Sequence, residues 1–250
     1  MIVLKTRREL DLMREACRIS ANALREAGKA VEPGVSTQEI DDVVRNYIRK
    51  QGASPSFLGY GGFPASACIS VNNVVIHGIP SKKQILKSGD IVSVDVGAFI
   101  GGFHGDNAYT YACGDISKEA RALLDATKES LYEGIKQAKA GNRVGDIGNA
   151  VQSYAEARSY SVVRDFVGHG VGAKLHEDPS IPNYGTPGRG VRLMPGMTIE
   201  IEPMITAGDY AVKVLDDDWT TVTADGSLAA HFEHTIAITP DGPVIMTIPD

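Results

Sequence analysis

Apolar positions return with a helical period in two stretches near the start of the chain. From about Thr6 to Val31, Leu10, Met13, Cys17, Ile19, Leu24 and Ala27 fall near one stripe, and Pro33-Gly34 ends the pattern. Ser36 then stands three residues before Glu39, a capping box that predicts a second helix carrying Ile40, Val44, Tyr47 and Ile48. From Ser54 to Ser66, glycine, proline and aromatic residues are too dense for a regular element. That stretch reads as a binding loop, with Phe57, Tyr60 and Phe63 as candidate pocket walls. The run CISVNNVVIHG, from Cys68, predicts two short strands forming a hairpin about Asn72-Asn73. A longer hairpin follows, Ile91 to Phe99 and Phe103 to Ala112, turning near Gly101-Gly102; two more helices are expected over about Lys118–Ala138 and Asp146–Arg158.

The pattern repeats. LKSGDIVSVD, Leu86 to Asp95, returns 107 residues later as LMPGMTIEIE, Leu193 to Glu202, with the leucine, the glycine three residues on and the terminal acid in the same places. At the same offset Ile40, Val44 and Tyr47 fall on Ile147, Val151 and Tyr154. One domain spanning residues 1–250 is expected, built from two helix–helix–hairpin halves, about 1–112 and 113–250, related by a pseudo-two-fold axis. If the halves pack face to face, Asp95 and Glu202 meet at their interface.

Composition narrows the function classes. A net charge of −6 with no basic stripe argues against binding nucleic acid directly. Three widely spaced cysteines, odd in number and without a C-x-x-C, suit a reducing compartment better than a disulfide framework. The amino terminus has only a short apolar run before charge begins, and no apolar stretch approaches the roughly 18 residues of a spanning helix. A cytoplasmic protein without a membrane partner is expected.

Asp95 and Asp106 lie in the two strands of the long hairpin, and the turn decides how they meet. A two-residue turn at Ile100-Gly101 sets them directly opposite, one at Gly101-Gly102 makes them diagonal neighbours on one face, and a three-residue loop puts them on opposite faces. Two carboxylates facing each other among Ile91, Val92, Val94 and Val96 repel without a cation between them. Glu202 ends the alternating strand IEIE, and Glu200 shares its parity as a second inward acid or a supporting partner. Glu233 in HFEHTIAI shares parity with His231 and is costly beside Phe232 unless paired or bound to metal. His169, in FVGHGVG, sits between glycines that permit close backbone approach, whereas His77 and His176 are ambiguous on their own. Carboxylates with one imidazole favour divalent Mn, Fe, Co or Zn, and so many acids suggest two ions bridged by shared carboxylates. Neither G-x-x-x-x-G-K nor G-x-S-x-G occurs, and GHGVGA lacks the acid a dinucleotide fingerprint needs about 20 residues on.

Five motifs taken in order, YGGFPASACISVNNVVIHGIP, SVDVGAFIGGFHGDNAYTYACG, FVGHGVGAKLHEDP, MTIEIEPMI and FEHTIAIT, closely resemble those of type I methionine aminopeptidases over the whole chain. The resemblance implies the pita-bread fold, an α/β (α+β) architecture in which a pseudo-two-fold antiparallel sheet is backed by helices. It also implies five metal ligands: Asp106 and Glu233 bridging two ions, Asp95 on one, His169 and Glu202 on the other. Glu202 would further shuttle a proton, His176 would donate to the developing oxyanion, and His77 would position the scissile amide. Tyr60, Phe63, Cys68, Leu175 and Trp219 would line the pocket for the methionine side chain, with Phe57 at its edge. The chain departs from the common family pattern at Phe57, Gly61, Phe63, Ala229 and His231, two of which bear on a monovalent-cation site near Asn72 and Ala229.

The implied activity is metal-dependent removal of an amino-terminal methionine when the second residue is small. The implied cofactors are two divalent ions, and the implied partners are nascent polypeptide amino termini, with the ribosome as a further candidate and a monomer as the expected state. Two rivals remain: a proline-specific aminopeptidase or prolidase-like peptidase on the same fold, and a non-catalytic pita-bread binding protein.

Overall fold

The computed structural model describes residues 1–250. Helix α1 (Arg7–Lys29) begins at a capping box: the Glu9 amide donates to the Thr6 hydroxyl at 3.3 Å, and the Thr6 amide to the Glu9 carboxylate at 2.7 Å. Helix α2 (Thr37–Lys50) opens on the box read from sequence, with Ser36 and Glu39 exchanging the same two bonds at 3.3 and 2.8 Å. Strands β1 (Ser54–Pro55), β2 (Ala67–Val71), β3 (Val74–Ile76), β4 (Ile91–Ile100) and β5 (Phe103–Ala112) complete the first half. Helices α3 (Lys118–Gln137) and α4 (Val144–Glu156) open the second. After them come β6 (Ser161–Val162), β7 (Gly168–Gly170), β8 (Glu177–Ile181), β9 (Thr198–Ile201) and β10 (Met204–Thr206). The chain ends with β11 (Val212–Val214), β12 (Thr221–Thr223), β13 (Ala229–His231), β14 (His234–Thr239) and β15 (Gly242–Ile245).

The sheets are antiparallel throughout: β1-β4-β2 with β5 on β4, β13-β10-β6, β11-β12-β3 and β15-β14-β9-β7-β8. Each half is backed by its own helices. Ile19, Ile40, Val44 and Ile48 pack on Ile69, Val92, Val94 and Val96, while Leu123, Leu131, Ile147 and Val151 pack on Ile199, Ile201, Ile236 and Ile238. Each such side chain stabilises the fold by about 1.5–3 kcal/mol relative to exposure. At Gly105 a methyl group would lie 2.4 Å from the Cys17 backbone nitrogen, so glycine lets α1 settle directly on β5.

The long hairpin closes on Gly101-Gly102, whose φ values of 63° and 87° are those a tight primed turn requires. Its register sets Asp95 opposite Ala108 and Asp106 opposite Gly97, so the two acids are diagonal neighbours on one face. The expected hairpin about Asn72-Asn73 is corrected. Both strands form, but β2 pairs with β4 and β3 with β12 instead of with each other. All five residues of β2 are buried, which suits a strand laid inside a sheet, and the Asn72 side chain accepts the Ile91 amide at 3.0 Å, binding the corner to β4.

The repeat reaches the hydrogen bonds. Gly34 and Gly141 donate to the carbonyls of Leu86 and Leu193 at 2.8 and 2.9 Å, and Leu86 and Leu193 donate back to Val35 and Asn142, both at 2.8 Å. Isolated bridges join Ser36 to Ile85 and Arg143 to Arg192, again 107 residues apart. Even the capping box survives in part, since the Arg143 amide donates to Asp146 at 2.7 Å while arginine has no oxygen to return the bond.

Candidate metal centre

The two halves meet over a cavity of about 280 Å³. Its polar floor carries Asp95, Asp106, His169, Glu202 and Glu233, and its apolar wall carries Phe57, Tyr60, Phe63, Cys68, Leu175 and Trp219. His77 and His176 stand between. The five implied metal ligands, the two histidines and the implied pocket walls therefore border one space, although they come from strands and loops on both halves, whereas Glu200 does not line it. Ile76, Phe166, Val167 and Ser180 also border it without having been singled out. Phe166, three residues before His169 and packed edge-on against His77 at 5.7 Å, was the one with a local signal.

Asp106, His169 and Glu233 each present an atom able to ligate a metal, and these atoms lie within 4.8 Å of one another. His169 Nδ1 donates to the Gly170 carbonyl at 2.8 Å, which leaves Nε2 as the free lone pair, 3.6 Å from Glu202 Oε1. Its flanking glycines are required by crowding: a methyl group at Gly168 or Gly170 would lie 2.3 Å from the carbonyl oxygens of Glu200 or Asp178.

The electrostatics follow from burying so many acids together. Burial pushes the Asp95 carboxyl up to about 7, even though its contacts with the Asp106 side chain and the Val96 backbone act in the opposite direction. Asp106 is raised by burial and then by Asp95, Glu200 and Glu202; Glu233 is raised by burial and then by Asp106, Glu202, Asp95 and Glu200. Glu202 is raised by burial and then by Asp95 and Glu200. Burial lowers His169 to about 3 and His77 to about 4, each helped by His176, so both are neutral at pH 7. Asp95 Oδ1 and Asp106 Oδ1 are buried with no hydrogen-bond partner in the protein. Buried carboxylate oxygens are seldom left bare unless a cation completes them, so this donor set fits divalent metal.

The Metallopeptidase family M24 pattern matches residues 11–240. The chain belongs to that family. It is 54% identical over 248 residues to a methionine aminopeptidase of Clostridium perfringens, covering 99% of each chain. It is likewise 54% identical over 247 residues to methionine aminopeptidase 1 of Bacillus subtilis, covering 99% of each. The crystal structure of a Thermotoga maritima methionine aminopeptidase superposes with a TM-score of 0.97 at 48% identity, covering 99% of each chain. The fold of the family, a pseudo-symmetric antiparallel sheet backed by helices, is the fold of this chain. No helix is long and apolar enough to cross a membrane.

Around the floor lie groups the sequence left undecided. Glu200 is fully buried opposite Thr235 on β14, its Oε1 accepting the Thr235 hydroxyl at 2.6 Å and its Oε2 without a partner. His231 Nε2 lies 3.9 Å from Glu202 Oε2, and burial followed by His77 lowers the ring to about 3. The Tyr60 hydroxyl sits 2.6 Å from His176 Nδ1. Behind His176, Lys5 and Glu177 form an ion pair at 2.5 Å with only 3% and 8% of their side chains exposed.

Proposed function

We propose that this chain is a metal-dependent methionine aminopeptidase that removes the first residue of a polypeptide when the second is small. The reading is supported above all by the cavity floor, where partnerless buried carboxylate oxygens converge beneath an apolar wall in a chain that matches family M24 over residues 11–240. The 250 residues act as one catalytic unit made of two pseudo-symmetric halves. Asp95, Asp106, His169, Glu202 and Glu233 would hold the divalent metal, and so large a donor set suits two ions. Co, Mn, Fe and Zn all suit this oxygen-and-imidazole set. When bound, the ions supply Lewis acidity and offset the clustered negative charge.

The protein groups do the remainder. Phe63, Cys68, Leu175 and Trp219, with Tyr60 at the rim, bury the methionine side chain, worth about 1.5–3 kcal/mol. Glu202 takes a proton from the attacking water and delivers it to the departing amine. His176 donates from Nε2 to the developing oxyanion, its ring held through Nδ1 by the Tyr60 hydroxyl 2.6 Å away. His77, neutral because burial lowers it to about 4, orients the scissile amide. Nascent polypeptide amino termini are the natural substrate, met in the cytoplasm and at the ribosome by a monomeric enzyme.

Hydrolysis of Met-Ala-Ser and Ala-Pro-Ala with added Mn or Co tests the reading. Release of free methionine with Ala-Pro-Ala left intact is expected. Cleavage of Ala-Pro-Ala alone would make this a proline-directed peptidase, and no turnover with any divalent ion would make it a binding protein.

A further inference from the structure

The pseudo-two-fold repeat also relates two hydroxyl clamps across the seam between the halves. In one, the Thr110 hydroxyl accepts the His231 amide at 2.9 Å and donates to the His231 carbonyl at 2.8 Å, with Ser93 Oγ 2.8 Å away. In the other, Thr235 Oγ1 accepts the Asp106 amide at 3.1 Å and shares its proton between the Asp106 carbonyl at 2.9 Å and Glu200 Oε1 at 2.6 Å. Ser93 and Thr110 face each other in the β4–β5 ladder as Glu200 and Thr235 do in β9–β14, and Glu200 follows Ser93 by the repeat offset of 107. Each threonine thus grips the peptide of one residue from the opposite half. Only one gripped residue, Asp106, belongs to the carboxylate and imidazole cluster able to hold metal.

We propose that Thr235, backed by Glu200, is a positioning residue of the metal centre. Strand β5 reaches Asp106 from the other half, and its ladder partner on β4 at that point is Gly97, which has no side chain to steady the acid. The two-point grip on the Asp106 amide and carbonyl fixes translation and rotation of that peptide, and with them the origin from which the carboxylate reaches into the cavity. Glu200 fixes the hydroxyl in turn, which accounts for an acid placed at full burial where the first half manages with serine. The role rests on Asp106 being a ligand, as proposed above.

The test is Co(II) binding to the full chain, followed by titration and by the visible absorption spectrum of the bound ion. Thr235→Val keeps the side-chain shape and removes the hydroxyl, Thr235→Ser restores it, and Thr110→Val removes the matching clamp on His231 as a control for seam packing. Thr235→Val is expected to weaken Co(II) binding about 10–100-fold and change the spectrum, as loss of an outer partner of a ligand does. Thr235→Ser should recover both properties. Thr110→Val should lose comparable thermal stability but keep the wild-type spectrum. Glu200→Met should reproduce the Thr235→Val defect, and the double variant should add nothing further if the acid acts through the hydroxyl. Wild-type affinity and spectrum in Thr235→Val, or equal changes in Thr110→Val, overturn the positioning role while leaving the metal reading intact. Wild-type protein that takes up no Co(II) overturns the metal reading and this role with it.

Discussion

Replacing Asp95 with asparagine probes its share of the energetic burden that clustered buried carboxylates place on the metal-free fold. The Asp95 carboxyl is raised from 3.8 to about 7 by burial. Below pH 4 it carries its proton in both folded and unfolded chains and costs nothing. Between pH 4 and 7 the unfolded chain releases that proton and the folded chain keeps it, so metal-free stability falls by about 1.4 kcal/mol per pH unit from this group. Two of those units lie between pH 5 and pH 8, which makes the loss over that range about 3 kcal/mol. Asparagine has no proton to release. Urea unfolding of wild-type and D95N protein in chelator should therefore show D95N gaining about 3 kcal/mol on wild type from pH 5 to pH 8. The buried histidines, lowered to about 3 and about 4, have the opposite pH slope and are common to both proteins. Asp106, Glu202 and Glu233, by contrast, are each raised in part by Asp95, so relief of that repulsion in D95N adds to the gain and about 3 kcal/mol is its lower bound. Adding a divalent ion should reverse the ranking, because ligand bound only by the folded state stabilises it by mass action. A stability difference that stays flat from pH 5 to pH 8 would refute the claim that Asp95 is held protonated by its surroundings.

Three other outcomes follow from named contacts. His176→Ala should lower kcat about 10²–10³-fold, the usual cost of one oxyanion donor, while metal content measured by atomic absorption stays at the wild-type value; a parallel loss of metal would end the proposed role. Lys5→Met leaves Glu177 buried without its partner and should cost about 3–5 kcal/mol of unfolding free energy, whereas a change below about 1 kcal/mol would mean the pair is solvated in solution. Gly105→Ala pushes a methyl against the α1 backbone 2.4 Å away and should destabilise by about 1–3 kcal/mol, seen as a lower melting temperature; an unchanged melting temperature would show that α1 does not sit this tightly on β5.

Local chemistry made parts of this architecture legible in advance. The Ser36/Glu39 box marks the start of α2, and the double glycine at the hairpin tip selects the diagonal arrangement of Asp95 and Asp106 from three that period-two alternation allows. The repeat of a leucine, a glycine and an acid placed Asp95 and Glu202 on one cavity without any knowledge of their surroundings. What stayed hidden depends on partners distant in the chain. The residues of β2 and β3 favour strands, but which edge each strand finds is decided by β4 and β12, so the hairpin inferred from Asn72-Asn73 did not form. Lys5 gives no local hint that it will meet Glu177 in the interior. Glu200 was visible as an acid of the right parity, and its burial against Thr235 depends on the register between β9 and β14.

The matched bonds at Gly34 and Gly141 and the twin threonine clamps give this chain the geometry of a symmetric dimer whose subunits are joined end to end. In a dimer of identical halves, whatever stood at position 93 would also have to stand at position 200, and a centre shared between them would dissociate on dilution. Covalent linkage removes both restrictions. Assembly of the site becomes first order and indifferent to protein concentration, and each half is free to diverge. A serine can stay a spacer on one side while its counterpart on the other becomes an acid, so a symmetric scaffold can present a substrate with two different faces.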